Sequence, residues 1–446
     1  MLHARPRLFS LAWPMFMEML LGIGVGVLCT GMAGKLSDNA GAAFAMGTQL
    51  GATLFLLFRI IGAGISVVIT QNLGAGQREQ ADAVARAAVG ASTWIGGFSM
   101  LCALLFATPL LRLLNAPEDV LPLAAPLLRW LAPAILFDIW NASMVSVMRA
   151  HMRSRDTLAV IIVMQIVVIM LAVPLMPRLG LPGYALALFT SRVIGLILHL
   201  LLWKWRLDLH LRWRDWWSLP RRQLAPVLHI GLPGAAENLT YRLCFMVGVA
   251  AIGTMGTHAV ATHAYTMQLM FVVLLFGLSI GFAAEIMVGH MIGAGQLHAA
   301  HRLVRRALGL GLVASVLIAG SFALAAPWLL TFFTNDPSII AMGTTLMWWT
   351  VLIEPGRTFN LVVINALRAA GDARFPVMAG ALSMIFVLAG GAWVLGVHFG
   401  LGLVGVWIAY AADEWIRGLI MWRRWARHGW VPHARATHRR VRAARG

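Results

Sequence analysis

Residues 11–18 read LAWPMFME, and residues 230–237 read IGLPGAAE. Each places a glutamate four residues after a proline, inside a long apolar run. A bilayer tolerates neither feature facing lipid. Proline removes a backbone donor from the helix, and an ionisable side chain at a helix centre costs at least about 2.5–3.5 kcal/mol. The recurrence turns two anomalies into a plan. An offset of 219 residues carries Pro14 onto Pro233 and Glu18 onto Glu237. The same offset lays Gly34 on Gly253, Gln49 on Gln268, and the GAGQ at 74–77 on the GAGQ at 293–296. It also lays Trp130 on Trp349, Asn141 on Asn360 and Arg149-Ala150 on Arg368-Ala369, with no net insertion. Past position 155 the match decays.

The surrounding composition is that of a polytopic membrane protein. Of 446 residues, 60% are hydrophobic and 12% charged, with a mean hydropathy of +0.80; a soluble domain cannot hide so much apolar surface. Runs of the length a helix needs to cross a bilayer, about 20 residues, occur twelve times, the first at 9–34 and the last at 401–422. They lack the alternation of barrel strands. The predicted fold class is therefore all-α and polytopic, with twelve transmembrane helices in two parallel six-helix repeats around a central cavity. Six spans per half return the chain to the same side, so the repeats run parallel, an arrangement typical of transporters.

The net charge of +18 is compatible with nucleic acid, but its distribution argues against that. Of 35 Lys and Arg, 26 fall at the termini or in the even-numbered connections, three in odd-numbered connections and six inside spans. That asymmetry predicts both termini on the cytoplasmic side of a bacterial inner membrane, with the excess charge gripping anionic lipid. Four segments follow: a six-helix bundle at 1–202, a linker at 203–226, a second bundle at 227–425, and a basic cytoplasmic tail at 426–446. The linker, WKWRLDLHLRWRDWWSLPRRQLAP, carries six Lys or Arg and five Trp, which suits an interfacial helix on the inner leaflet. The composition of the tail predicts disorder.

Several chemistries are excluded. The three cysteines, Cys29, Cys102 and Cys244, lie in apolar runs without metal-ligand spacing and read as small buried hydrophobes. No strand precedes either GAG, so neither is a dinucleotide fingerprint; with glycine supplying unusual dihedrals, both read as tight turns between spans. No zinc pattern, phosphate-loop lysine or catalytic triad is present. The expectation is a non-enzyme without a resident cofactor, and a monomer.

LAWPMFME, the doubled GAGQ, GLPGAAENLTY at 231–241, IEPGRTFNLVVINALRAAGDARFP at 353–376 and GLVGVWIAYAADEWIRG at 402–418 resemble prokaryotic MATE transporters (multidrug and toxic compound extrusion). The resemblance spans the chain to about Trp425. It implies export of cationic or amphipathic compounds, driven by inward flow of H+ or Na+, through two six-helix bundles. One departure stands out. Many members carry an aspartate followed by threonine in the first helix; here the corresponding stretch is Leu28-Cys29-Thr30. A cation site based on that aspartate does not carry over, which leaves Glu18 as the acid of span 1.

Seven acids fall inside spans: Glu18, Asp138, Glu237, Glu285, Glu354, Asp413 and Glu414. Glu18 and Glu237 are the two repeated at matching positions. Each shares a helical face with its proline, so kink, freed carbonyl and carboxylate cluster, which suits H+ or a possible Na+. Burial disfavours the charged form of a carboxyl, so such a group can load a proton in one state and release it in another. These two are the candidate coupling residues. Asn238 and Tyr241 beside Glu237, Glu354, Arg357 and Asn360, and the first-half Asp138 and Asn141 are candidates for the substrate cavity or its gates, as is Glu285, shortly before the second GAGQ. Pro355-Gly356 predicts a break between Glu354 and Arg357. Asp138 and Arg357 occupy mated positions with opposite charge, which suggests pairing across the halves in one state. Asp413, Glu414 and Arg417 share a helical face and read as a structural ion pair. Arg149 and Arg368 read as cytoplasmic span-end residues that snorkel and lock helix ends. The alternative to a drug exporter is a flippase for a lipid-linked precursor, which predicts a larger cationic cavity.

Overall fold

The computed structural model describes residues 8–114 and 116–443, and the regular structure in that range is helical throughout. In the first half the helices are α1 (Leu8–Leu36), α2 (Asp38–Phe55), α3 (Arg59–Gly74), α4 (Arg78–Leu105), the short α5 (Ala107–Leu113), α6 (Leu121–Ala150), α7 (Ser154–Leu179) and α8 (Leu181–Leu207). The second half has α9 (Arg221–Gly253), α10 (Thr257–Gly293), α11 (Leu297–Leu330) and α12 (Pro337–Ala369). It continues with α13 (Arg374–Ser383) and α14 (Gly390–Trp393), joined and followed by π-helical turns to His398, then α15 (Gly402–Ala426) and α16 (Val431–Ala443). Among the described residues, nine helical segments are long and apolar enough to cross a membrane. The long helices α9, α12 and α15 fall outside that set. They are the ones that carry Glu237, Glu354, Arg357, Asp413, Glu414 and Arg417.

Helix ends keep the repeat where the sequence loses it. The offset of 219 carries the end of α3 (Gly74) onto that of α10 (Gly293), and the end of α6 (Ala150) onto that of α12 (Ala369). Beyond position 155 it still carries Leu179 onto His398 and Leu207 onto Ala426, each the last residue of a helical rod. The halves differ in three rods: α10 is continuous where its counterpart is interrupted by a 3-10 turn at Leu56–Phe58, α11 is continuous where its counterpart is split into α4 and α5, and α7 is regular where its counterpart holds π-helical turns. Both GAGQ segments turn through a left-handed glycine, Gly76 at φ 75° and Gly295 at φ 74°, a conformation that glycine alone adopts without steric cost.

Three expectations are corrected. The Pro355-Gly356 pair does not break its helix; α12 runs unbroken through both. Gly356 lets the Trp415 indole lie against the backbone, and Trp415 Nε1 donates to the Leu352 carbonyl at 2.9 Å, within the turn that proline leaves short of a donor. The linker is not an interfacial helix. Its ends belong to α8, which runs to Leu207, and α9, which starts at Arg221; between them lies an irregular strap with one 3-10 turn at Trp213–Trp216, pinned to α4 where Trp94 Nε1 donates to the Trp217 carbonyl at 3.1 Å and Gly90 meets the Ser218 carbonyl. The tail is not disordered, for α16 occupies Val431–Ala443. Its small residues Ala434, Thr437 and Val441 recur at helical spacing and are buried on one face, behind Trp430, which is 1% exposed.

The chain separates into two compact units. One comprises the chain through Phe16, Thr70–Gln77 and everything from Pro233 on; the other comprises Met17–Ile69 and Arg78–Leu232. The division falls within α1, at Phe16/Met17, and within α9, at Leu232/Pro233.

Candidate functional site

Glu18 on α1 is buried, with a guanidinium and a hydroxyl on its carboxylate. Arg149, the penultimate residue of α6, bonds to Oε2. Thr157 on α7 donates to Oε1 at 2.6 Å. In the other unit Glu237 on α9 receives Arg368 Nη2 at 2.5 Å, from the penultimate residue of α12. The two pairs are images of one another, since Glu18 maps on Glu237 and Arg149 on Arg368. Charge-assisted pairs of this kind hold a buried carboxylate firmly. The surroundings differ in one residue. Position 376, the mate of Thr157, is Pro376, which has no hydroxyl to donate. Exposure differs as well: the Arg149 side chain is 20% exposed and that of Arg368 8%.

The second constellation joins α12 to α15. Arg357 donates from Nη1 to Glu354 at 2.7 Å and from Nε to Glu414 at 3.1 Å. Arg417 Nε donates to Asp413 at 2.9 Å, and its Nη2 lies 3.1 Å from Glu414. Asn360 Nδ2 donates to Glu414 at 3.2 Å, and Ser383 Oγ to Asp413 at 2.7 Å. The Tyr241 ring lies 5.8 Å from the Arg417 guanidinium and stacks on Phe245. Three buried carboxylates thus share two buried guanidiniums. A side-chain network in a low dielectric is energetically costly unless its charges are satisfied, and this one holds one more acid than base.

The first half has a balanced counterpart. Asp138 on α6 is 2.5 Å from Arg192 on α8. Asn141 donates to the Arg192 carbonyl at 2.9 Å, and its Oδ1 lies 2.9 Å from His199 Nδ1. Asp138 takes Arg192, and Arg357 takes Glu354 and Glu414, each inside its own unit. Asn238 turns back on its own helix, donating to the Gly234 carbonyl at 2.7 Å, and Glu285 is buried within α10.

The profile of the MatE family matches residues 14–173 and, a second time, residues 233–393. This chain belongs to the MatE family. The two matches begin 219 residues apart, so the family pattern itself is repeated. Over 434 residues the chain is 33% identical to the uncharacterized transporter YisQ of Bacillus subtilis, covering 95% of this sequence and 94% of that one. It is 28% identical to the probable multidrug resistance protein NorM of Bradyrhizobium diazoefficiens, with coverage of 93% and 91%. The fold superimposes on a MATE protein crystallised in a bent conformation with a TM-score of 0.87 at 19% identity, over 96% of both chains. For the bent form of the Vibrio cholerae MATE transporter VcmN the TM-score is 0.83 at 22% identity, over 96% and 97%.

As a MatE protein, the chain is a multi-pass membrane transporter of the multidrug-resistance-like kind and not an enzyme. The sequence reading missed two parts of its charged architecture. Arg149 and Arg368 read as snorkelling and helix-end-locking groups, without the glutamates they pair with, although both lie 131 residues after those glutamates; that shared separation was the available signal. Asp413, Glu414 and Arg417 were read as a self-contained pair, because nothing local announces that Arg357 and Asn360 reach them from 54–57 residues away.

Proposed function

We propose that this MatE chain is a secondary active antiporter that exports cationic or amphipathic compounds in exchange for H+ or Na+ by alternating access. In this reading the nine strongly apolar segments are joined by α9, α12 and α15 to make twelve spans, six per repeat, around a central cavity. Both termini lie on the cytoplasmic side of the bacterial inner membrane, the chain works as a monomer, and its basic surfaces meet anionic lipid. The charged helices span because their ionisable groups are turned inward and satisfied by one another.

The observation that carries the reading is the acid excess between α12 and α15, where Glu354, Asp413 and Glu414 share Arg357 and Arg417. One unit of negative charge there awaits a cation. A proton or a cationic substrate each neutralises it, and occupancy by one weakens the other, which is the reciprocal coupling exchange requires. The two guanidiniums stand among the acids and already engage their oxygens, which a single added proton disturbs less than a metal ion needing several oxygen ligands. This favours H+ over Na+. Glu18 and Glu237 act as coupling carboxylates in the states where Arg149 and Arg368 draw away. Asn238, Tyr241 and Asn360, with Asp138 and Asn141 in the first half, line the cavity, and Glu285 serves a cytoplasmic gate.

The test is exchange of a fluorescent organic cation in reconstituted vesicles, with a pH gradient and a sodium gradient imposed separately. The pH gradient is expected to drive exchange in the native protein and to lose most of its effect in Glu354→Gln. If Glu354→Gln, Glu18→Gln and Glu237→Gln all exchange at the native rate under either gradient, the carboxylate assignment is wrong.

A further inference from the structure

We infer that α16 is a removable strap that holds the ends of α3 and α10 together, and that it undocks when the cytoplasmic side opens. The inference rests on the alternating-access reading above. It starts from a seam inside one compact unit, where Thr70–Gln77 of the first repeat joins the second-repeat helices. At this seam backbones meet with no room for side chains. A Cβ on Gly74 would strike the His290 carbonyl, one on Gly293 the Gln71 carbonyl, and one on Gly289 the Thr70 hydroxyl. Gln71 Nε2 also donates to the Ala369 carbonyl at the end of α12, at 2.8 Å.

The helix α16 grips both sides of this seam. Arg440 Nη2 lies 3.3 Å from Gln71 Oε1, on the first-repeat side. His438 Nδ1 lies 2.8 Å from the Gly293 carbonyl, on the second-repeat side. Thr437 fits the notch left by Gly371, and the His438 ring covers Gly295 of the second GAGQ. Parting the ends of α3 and α10 therefore requires that one of these grips be released.

The construction suits release. The base of the strap is fixed by Trp430, whose ring stacks on Trp425 at 4.2 Å and whose Nε1 donates to the Trp425 carbonyl at 3.0 Å. The tip docks through small residues, Ala434, Thr437 and Val441, and through isolated polar contacts, which contribute modestly to stability. Its outer face carries the exposed Arg435, Arg439 and Arg442, so an undocked tip remains soluble. The strap also breaks the repeat. The positions in the first half that correspond to α16 lie at 212–224, in the linker region, part of which is pinned to α4.

The experiment uses the full chain with Cys29, Cys102 and Cys244 changed to alanine and Thr70→Cys placed at the seam. A membrane-impermeant maleimide is applied to the cytoplasmic face. Loss of two hydrogen bonds in His438→Ala with Arg440→Ala is expected to raise the labelling rate about tenfold, and Ala434→Glu, which drives the same face into water, should do likewise. A native rate in both variants overturns the strap. A second arm bridges Gln71→Cys and Arg440→Cys with a reducible bismaleimide. Exchange should stop on bridging and return on reduction; exchange undiminished by the bridge also overturns it. Labelling needs no ion coupling, so failure of the antiport reading leaves the first arm legible.

Discussion

The first half sets one acid on α6 against one guanidinium on α8, whereas the second half mixes both charges on both helices, Glu354 and Arg357 on α12 with Asp413, Glu414 and Arg417 on α15. Asp138 and Arg357 are repeat mates, so one scaffold presents opposite charges at the same place. The partners were exchanged along with them. Arg192 corresponds to Ala411, while Glu354, Glu414 and Arg417 correspond to Ile135, Gly195 and Leu198. The first half is therefore closed on itself, one acid against one base, and the second carries a surplus carboxylate within a larger network. One repeated frame thus carries a balanced pair in one half and a charge-unbalanced network in the other, differing at a few inward positions.

The Glu–Arg pairs offer the most forceful way to break this comparison. Arg368→Ala strands Glu237 with no other described side-chain donor, at a cost of about 3–5 kcal/mol for a broken buried pair. Arg149→Ala is expected to cost less, because Thr157 still donates to Glu18. Thermal unfolding in detergent measures both; equal losses would mean that the two pairs are energetically alike. Replacing Glu237 and Arg368 together by leucine and methionine should recover most of the stability.

Next in size is the closed pair of the first half. Asp138→Arg combined with Arg192→Asp should regain what either single change loses, with a coupling energy of about 0.5–3 kcal/mol. Asp138→Arg combined with Arg357→Asp should show no such recovery, since Arg357 answers to Glu354 and Glu414. Unfolding midpoints of the full double-mutant cycle separate the two outcomes. A smaller effect is expected for Thr157→Val, about 1 kcal/mol for one lost hydrogen bond, making Glu18 as sparsely served as Glu237.

The least effect concerns a helix cap. Asp336 accepts from Ser338 N at 2.8 Å and from Ser338 Oγ at 2.7 Å at the start of α12, whereas α6 begins without a side-chain cap. Those hydrogen bonds hold the Asp336 carboxyl below its ordinary value of 3.8. A carboxyl lowered by folding contributes stability above the ordinary value and loses it as pH falls through the lowered one. The protection of the Ser338 amide against exchange, taken relative to the intrinsic rate at the same pH, should therefore fall on acidification through that window, and Asp336→Ala should abolish this change in protection.

What the sequence displayed was set by the range of each interaction. The helices are written in long apolar runs, and the duplication in spaced landmarks from Pro14 to Ala150, so both are visible without coordinates. Glu18 and Glu237 stood out because each is anomalous beside its own proline. Their arginines did not, since a contact across 131 residues has no local mark. The tail misled for the opposite reason. Its arginines dominate the composition, while the residues that dock it are an alanine, a threonine and a valine on one helical face. Register past position 155 was equally hidden, because helix length and end positions persist after the apolar residues filling them have been exchanged.

The glycine seam has one further property. Gly74 lies on the carbonyl of residue 290, and Gly293 on the carbonyl of residue 71; these are mates of one another under the same offset. Exchanging the repeats maps the contact onto itself, which is the defining property of an isologous interface in a two-fold dimer. The ends of α3 and α10 thus meet as two subunits would, within a single chain. A side chain introduced on one strikes the place where its mate would strike the other, so Gly74→Ala and Gly293→Ala address one ancestral contact twice.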